Sequence, residues 1–157
     1  MTDSHTLAQY YALTYRVIKR QVDGVTDEES LMQPPFRGNC MNWVIGHIVA
    51  SRDSVLRLLG VSPTWTEAEA RVYKPNSEPV ISAEQALPLT RLLADLETLQ
   101  TRIMEALQHV SEETLAAMAD EEETVGQQIT FSHWHETYHV GQLELLRQLA
   151  GKNDKVI

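Results

Sequence analysis

Apolar side chains recur every three to four residues over four long stretches of the chain, which is the spacing of an amphipathic helix. The first stretch covers about residues 4–23 and the second about residues 42–60. The third opens near Ser82 or at Pro88, because a proline fits the first turn of a helix but not its interior. The last covers about residues 124–151, or begins a turn or two later. Four long amphipathic helices predict an all-α four-helix bundle.

The connections between these stretches carry signals of their own. Residues 61–81 hold three of the six prolines and form a connection that is long for a compact domain. Such a long crossover between the second and third helices lets these two helices run roughly parallel. Asn42 is the candidate N-cap of the second helix. Thr26 and Thr66 each precede a glutamate by three residues, the spacing of a capping box, and Ser111 is a further N-cap candidate, so three short helices are expected.

Length, charge and cysteine usage narrow the class of protein. The 157 residues fit a single domain spanning 1–157. The formal net charge of −9 disfavours a nucleic-acid partner, since an acidic surface repels phosphates. No apolar run approaches the length of a membrane span, and the N-terminal residues lack the features of a signal peptide. The only cysteine, Cys40, is expected to be buried and suits a reducing compartment. These features predict a cytoplasmic protein with no membrane partner.

Two of the six histidines lie four residues apart in the stretch SHWHETYH, residues 132–139, which contains the pattern H-E-x-x-H. On a helix, His135 and His139 are offset by about 40° and one turn, so both imidazoles can bind one metal ion. His133 points about 200° away from His135. His5 and His109 are expected at the surface.

His47 is the best candidate for a third ligand. It lies in the second predicted helix beside the apolar residues Val44 and Ile48, where a histidine needs a polar partner. That partner is either a metal ion shared with His135 and His139 or a single carbonyl group. Helix geometry alone leaves both alternatives open.

The H-E-x-x-H pattern is also typical of zinc proteases, in which a further ligand follows the second histidine. No histidine follows His139, Glu144 is too close on the same helix, and Asp154 lies in a short tail. Gly141 comes too early for the extended protease motif. No stretch has the pattern of a strand that would bind an extended peptide. The pattern therefore indicates two metal ligands on a helix and not a peptidase.

Two stretches together, NWVIGHIVASR at 42–52 and WHETYHVGQL at 134–143, resemble the DinB-like or YfiT-like family of bacterial metal-binding four-helix bundles. The resemblance covers nearly the whole chain. It implies that His47, His135 and His139 hold nickel, zinc or a similar divalent ion with positions left open. It also implies a homodimer. Some characterised relatives are transferases or isomerases that use low-molecular-weight thiols, and others are described as metal-dependent hydrolases.

Three neutral imidazoles leave the charge of a divalent ion uncompensated, so that a bound thiol ionises or a bound water becomes acidic. The expected function is therefore a metal-dependent transferase that uses a low-molecular-weight thiol and a small-molecule substrate. The alternatives are a metal-dependent hydrolase and a non-catalytic metal-binding or interaction module. Glu136 is a candidate general base, or else a solvated or interfacial carboxylate. The family pattern does not fix it, so its role rests on local geometry alone.

Three neighbours of the histidines have two interpretations each. Gln142 orients a ligand or makes a polar contact within the bundle. Trp43 and Tyr138 wall a pocket or pack in the core. Arg52 and Asp53 are expected in surface ion pairs.

Overall fold

The computed structural model describes residues 3–157 and shows seven helices and no strand in that part of the chain. Four helices are long and three are short connectors. No helix within these residues is long and apolar enough to cross a membrane. In chain order the helices are α1 (Ser4–Val22), α2 (Asp27–Ser30), α3 (Met41–Leu58), α4 (Glu67–Arg71), α5 (Leu89–His109), α6 (Glu112–Ala116) and α7 (Val125–Leu149).

The four long helices pack as a bundle around one apolar core. Both α1 and α3 pack against α5 and α7, so α1 and α3 lie at opposite corners of the bundle. Two contacts give the relative direction of α3 and α5. Asn42 donates to the carbonyl of Leu87, and ten residues later Arg52 donates to Gln100, so the two helices advance together. The predicted all-α bundle with a long crossover between parallel helices is confirmed.

The predicted start signals decide where most helices begin. Thr26, Thr66 and Thr124 each form a capping box, in which the hydroxyl accepts a backbone N–H and the Glu or Gln three residues later bonds back. Ser111 caps α6. Helix α5 begins directly after Pro88, the later of the two predicted starts.

Asn42 is not the N-cap of α3, so that prediction was wrong. Cys40 occupies the cap position without a side-chain hydrogen bond, while Asn42 lies buried in the first turn. The Asn42 amide donates to the carbonyl of Leu87, and its side-chain oxygen accepts from the Tyr73 hydroxyl. Tertiary hydrogen bonds to the crossover have therefore overridden a local capping preference.

Arg52 and Asp53 are buried, so the prediction of surface ion pairs was also wrong. Both carboxylate oxygens of Asp53 accept backbone N–H groups, those of Thr64 and Trp65. Asp53 thereby fixes the start of the crossover to α3. Arg52 instead turns into the centre of the bundle, where its partners come from the other long helices.

The crossover packs closely against α3 at Gly46. Tyr73 is fully buried, and a Cβ placed on Gly46 would lie 2.2 Å from Cδ1 of its ring. The missing side chain of Gly46 therefore allows the ring to lie against the helix backbone. This contact positions the segment that also holds His47.

We expect Gly46→Ala to lower the free energy of unfolding by about 1–3 kcal/mol, because the added methyl group overpacks against a rigid buried ring. In a chain of this length each kcal/mol corresponds to about 2–4 °C in Tm. Thermal unfolding followed by circular dichroism measures the loss. Ser54→Ala, at an exposed position of the same helix, is the control and should change the free energy of unfolding by less than about 0.5 kcal/mol. Equal Tm values for Gly46→Ala and the wild type would contradict this packing.

Candidate metal centre

Three histidine side chains from two helices meet at one point. One ring nitrogen from each of His47, His135 and His139 lies within 4.8 Å of the other two. His47 comes from α3, and the other two come from one face of α7. His47 and His139 are only 6% and 7% exposed, whereas His135 is half-buried. The three residues selected from the sequence are therefore brought together at the edge of the core, and their cluster could hold a metal ion.

The ring of His47 is held by two neighbours. Its Nδ1 donates to the carbonyl of Tyr73 over 2.7 Å, and Trp43 stacks on it with the ring centroids 4.8 Å apart. A carbonyl only accepts, so the proton of a neutral imidazole lies on Nδ1 and Nε2 keeps its lone pair. The carbonyl partner of His47 is therefore present, and the ring also belongs to the cluster that could hold a metal ion.

His139 is oriented by Gln142, whose Oε1 lies 2.7 Å from its Nδ1. The Nε2 atoms of His139 and His135 lie 3.1 Å apart. Two imidazole lone pairs at this distance repel each other unless a proton or a cation lies between them. If both nitrogens bind the same ion at about 2.0–2.1 Å, a separation of 3.1 Å corresponds to a nitrogen–metal–nitrogen angle of about 98°. This angle lies between the octahedral and the tetrahedral values. The residues present therefore fit a divalent ion.

Burial keeps two of these imidazoles uncharged, those of His47 and His139. Burial lowers the pKa of His139 to about 4, although the hydrogen bond to Gln142 acts in the opposite direction. Burial also lowers the pKa of His47, and the bond to the Tyr73 carbonyl opposes this effect. At neutral pH both rings are therefore neutral, and each offers a lone pair to a cation.

Glu136 is directed into the bundle and is not part of the histidine cluster. It is only 2% exposed, so the expectation of a solvated or interfacial carboxylate was wrong. Its Oε2 accepts from Nε of Arg52 and its Oε1 from Nη2 of Arg52, both at 2.8 Å. Oε1 also accepts from the hydroxyl of Thr14. A role as general base stays a prediction, and these contacts do not favour it because both oxygens are already engaged.

Aromatic side chains lie beside each ligand of the cluster. Phe131, which the sequence patterns did not select, lies parallel to the ring of His135 with the centroids 6.3 Å apart. Tyr138 meets His139 edge-on at 5.4 Å and is exposed, so it does not pack in the core. Phe131 precedes His135 by four residues and so shares its helix face, which is the signal that could have identified it.

The other histidines lie outside the cluster. His5 and His109 are exposed, as expected. His133 packs against α1, with ring centroids 5.0 Å from Tyr10 and 5.4 Å from Tyr11. This agrees with its predicted direction, away from His135.

The protein is a bundle of four long helices, and two of these helices contribute three histidines that converge on one point. These features define a class of helical proteins with a candidate metal centre. The chain matches the family model described as the DinB superfamily over residues 9–143. It therefore belongs to the DinB superfamily, as the resemblance implied.

A solved structure shows the same fold at low sequence identity. It is described as a conserved protein of a locus from Enterococcus faecalis and matches with a TM-score of 0.75 and 15% identity. The match covers 96% of this chain and 98% of that chain. No curated protein matches the chain.

We expect Gln142→Leu to weaken the binding of Zn²⁺ by about tenfold or more, because His139 loses the acceptor that fixes its tautomer and ring orientation. Gln142→Glu should bind Zn²⁺ at least as tightly as the wild type, since a carboxylate accepts the same hydrogen bond. Isothermal titration calorimetry measures both affinities. Gln148→Leu, at an exposed position of α7, is the control and should leave the affinity unchanged. Wild-type affinity in Gln142→Leu would mean that Gln142 is only a polar contact within the bundle.

Proposed function

We propose that the protein is a divalent-metal-dependent transferase that acts with a low-molecular-weight thiol on a small-molecule substrate. The observation that supports this function is a cluster of three imidazoles that, among residues 3–157, includes no carboxylate or cysteine. His47, His135 and His139 would hold the ion, and nickel or zinc suits a site made of imidazoles. When bound, the ion would supply the positive charge that lowers the pKa of a thiol towards neutrality.

The number of ligands supports an enzyme over a non-catalytic site. Structural zinc sites are closed by four protein ligands, whereas catalytic sites keep three and leave a position for water or substrate. The cluster found in the described part of the chain has three members. An ion held by this cluster would therefore have a position left for a thiol or substrate.

The position of Glu136 favours thiol chemistry over hydrolysis. A hydrolase with the H-E-x-x-H motif uses its glutamate to take a proton from the attacking water. Glu136 follows the ligand His135, but Arg52 and Thr14 hold its carboxylate. A free thiol has a pKa of about 8.5 against about 15.7 for water, so it ionises without a strong base.

The aromatic neighbours give the site an apolar surround. Trp43 stacks on His47, Phe131 lies along His135, and Tyr138 borders His139. These rings would bind the apolar part of a small substrate and limit the access of water to a thiolate. Of the three, Phe131 and Tyr138 are exposed in the single chain.

The test is metal analysis of the purified protein followed by thermal unfolding with bacillithiol, mycothiol or glutathione. We expect about one Ni²⁺ or Zn²⁺ per chain and a higher Tm with one of the thiols, because a ligand of the folded state adds about 2.7 kcal/mol at a hundred times its Kd. His47→Ala should lose both the metal and the response to thiol. His109→Ala, a matched change at an exposed histidine, should keep both.

Two outcomes would change the assignment. A metal-loaded protein that responds to no thiol but cleaves esters or amides would be a hydrolase. A protein that binds no divalent metal would overturn the proposal.

We further propose that the protein forms a homodimer through the outer face of α7. Every exposed residue of this helix is uncharged, although the chain has a net charge of −9. Two copies therefore meet here without the repulsion that their remaining surfaces would cause. The exposed residues are Gln127, Phe131, Trp134, Thr137, Tyr138, Gly141, Leu145 and Gln148.

The exposed apolar area of this face is large enough for contact with a second copy of the chain. Phe131, Trp134 and Tyr138 are 57%, 62% and 59% exposed, which leaves on the order of 300–400 Å² of aromatic surface. With the exposed Leu145, and Tyr10 on the adjoining α1, the face provides most of the roughly 800 Å² that each partner buries in a standard interface.

A glycine at the centre of the face supports close contact between helices. Apart from its two neighbours in the chain and the backbone of its own helix, nothing in residues 3–157 lies within 4 Å of a Cβ placed on Gly141, so packing within one copy does not require a glycine there. Glycine in a helix costs about 1 kcal/mol relative to alanine. A second α7 crossing at this point would use the space.

We expect light scattering to give twice the chain mass of 17.8 kDa for the wild type and the single chain mass for Trp134→Glu. The buried glutamate would have no partner and would break the interface. Phe36→Glu, at an equally exposed aromatic in another part of the chain, should stay dimeric. A monomeric wild type, or a dimeric Trp134→Glu, would exclude this face as the contact between copies.

A further inference from the structure

A hydrogen-bonded network at the centre of the bundle joins all four long helices beside the histidine cluster. Arg52 of α3 is 1% exposed and donates to both oxygens of Glu136 in α7. It also donates to Oε1 of Gln100 in α5 over 2.7 Å and to the carbonyl of Tyr11 in α1 over 3.4 Å. The hydroxyl of Thr14 in α1 donates to Glu136 as well.

We propose that Arg52 and Glu136 are positioning residues of the metal centre, which hold α7 against α3 in the one orientation that brings the three imidazoles together. This inference rests on the proposed metal binding by His47, His135 and His139. Neither residue of the pair belongs to the cluster. Their effect on the ion therefore acts through the placement of the ligands.

Because of its position in the sequence, Glu136 can fix the rotation of α7 about the helix axis. It lies between the two ligands of this helix. At about 100° per residue, its side chain is about 100° from His135 and about 60° from His139. Fixing the Glu136 carboxylate at the bundle centre therefore fixes the direction in which both imidazoles leave the helix.

A metal site tolerates only small displacements of its ligands, so the rotation of α7 has to be fixed closely. A rotation of α7 by about 20° would move a ligand atom roughly 6 Å from the helix axis by about 2 Å. Metal–ligand distances tolerate about 0.2 Å. Apolar contacts have no directional bonds, so they define the rotation of a helix less sharply than hydrogen bonds do. Two parallel hydrogen bonds between a guanidinium and a carboxylate fix both distance and angle.

If Arg52 and Glu136 affected the ion only through their charges, their variants would behave differently from what a positioning role predicts. Arg52 and Glu136 cancel each other's charge, so Arg52→Lys would leave the field at the ion unchanged. Positioning predicts weaker metal binding in Arg52→Lys, because an ammonium group cannot form two parallel bonds with one carboxylate. The double variant Arg52→Met/Glu136→Leu removes the bonds and both charges together. An apolar replacement of this kind commonly keeps or increases stability.

The experiment measures the Co²⁺ affinity and the visible absorption of bound Co²⁺, which reports coordination geometry, on the full chain. We expect Arg52→Lys and Arg52→Met/Glu136→Leu to bind Co²⁺ about tenfold more weakly or worse, equivalent to about 1.4 kcal/mol, with altered absorption bands. Thermal unfolding of the double variant should remain cooperative. A merely structural role of the pair would lower Tm without changing the spectrum.

Arg147→Lys is the matched control. Arg147 is a buried arginine of the same helix α7 whose Nε and Nη2 likewise donate to one carboxylate, that of Asp154, in three hydrogen bonds. Its replacement should lower Tm and leave the Co²⁺ affinity and spectrum unchanged. If the double variant does not fold, the comparison of Arg52→Lys with Arg147→Lys decides the question.

The outcomes separate this inference from the proposed function. Wild-type Co²⁺ affinity and spectrum in Arg52→Lys, or in a folded double variant, would overturn the positioning role and leave the metal centre intact. A wild-type protein that binds neither Co²⁺ nor Zn²⁺ would overturn both.

Discussion

An arginine without partners in the core of a helical bundle would cost several kcal/mol, and this cost constrains how the four long helices meet. Within residues 3–157, every hydrogen bond that the Arg52 guanidinium donates ends on another long helix, at Glu136, Gln100 or the carbonyl of Tyr11. Buried ion pairs add little net stability, but loss of one partner costs about 3–5 kcal/mol. Alternative rotations of the helices would break these bonds. The network therefore selects one arrangement of the bundle more than it strengthens the fold.

This polar layer is electrically neutral, and its neutrality bears on the proposed chemistry. Arg52 and Glu136 cancel, and the lowered pKa values of His47 and His139 keep these imidazoles uncharged at neutral pH. A divalent ion in the cluster would therefore receive no negative charge from the three ligands. A compensating anion would have to come from a further ligand, in a position that the three histidines leave open. A thiolate supplies that charge, and this requirement agrees with a thiol as cosubstrate.

The sequence was sufficient to predict the helices and to pair two of the three histidines, because both predictions depend on the local spacing of residues. Apolar periodicity and the capping boxes at Thr26, Thr66 and Thr124 set the helix bounds. The roles of Arg52 and Tyr73 depend on contacts between distant parts of the chain. For Arg52 a local signal existed, since it lies at helical spacing from Ile48 and Val55 on the apolar side of α3. A charged residue on such a face is either snorkelling or paired, and only the positions of the other helices decide between them.

The H-E-x-x-H pattern shows the limit of local spacing most clearly. The two histidines are on one side of the helix in any protein with this pattern, because four residues make slightly more than one turn. The glutamate lies about 100° from the first histidine, so its environment depends on which side of the helix is buried. In a zinc protease it reaches the water on the metal as general base. Here that side of α7 faces the bundle centre, where Arg52 and Thr14 bind the carboxylate. The same motif thus places two histidines where both could bind one metal ion, while the packing of the helix decides whether the glutamate faces that site or, as here, the core of the bundle.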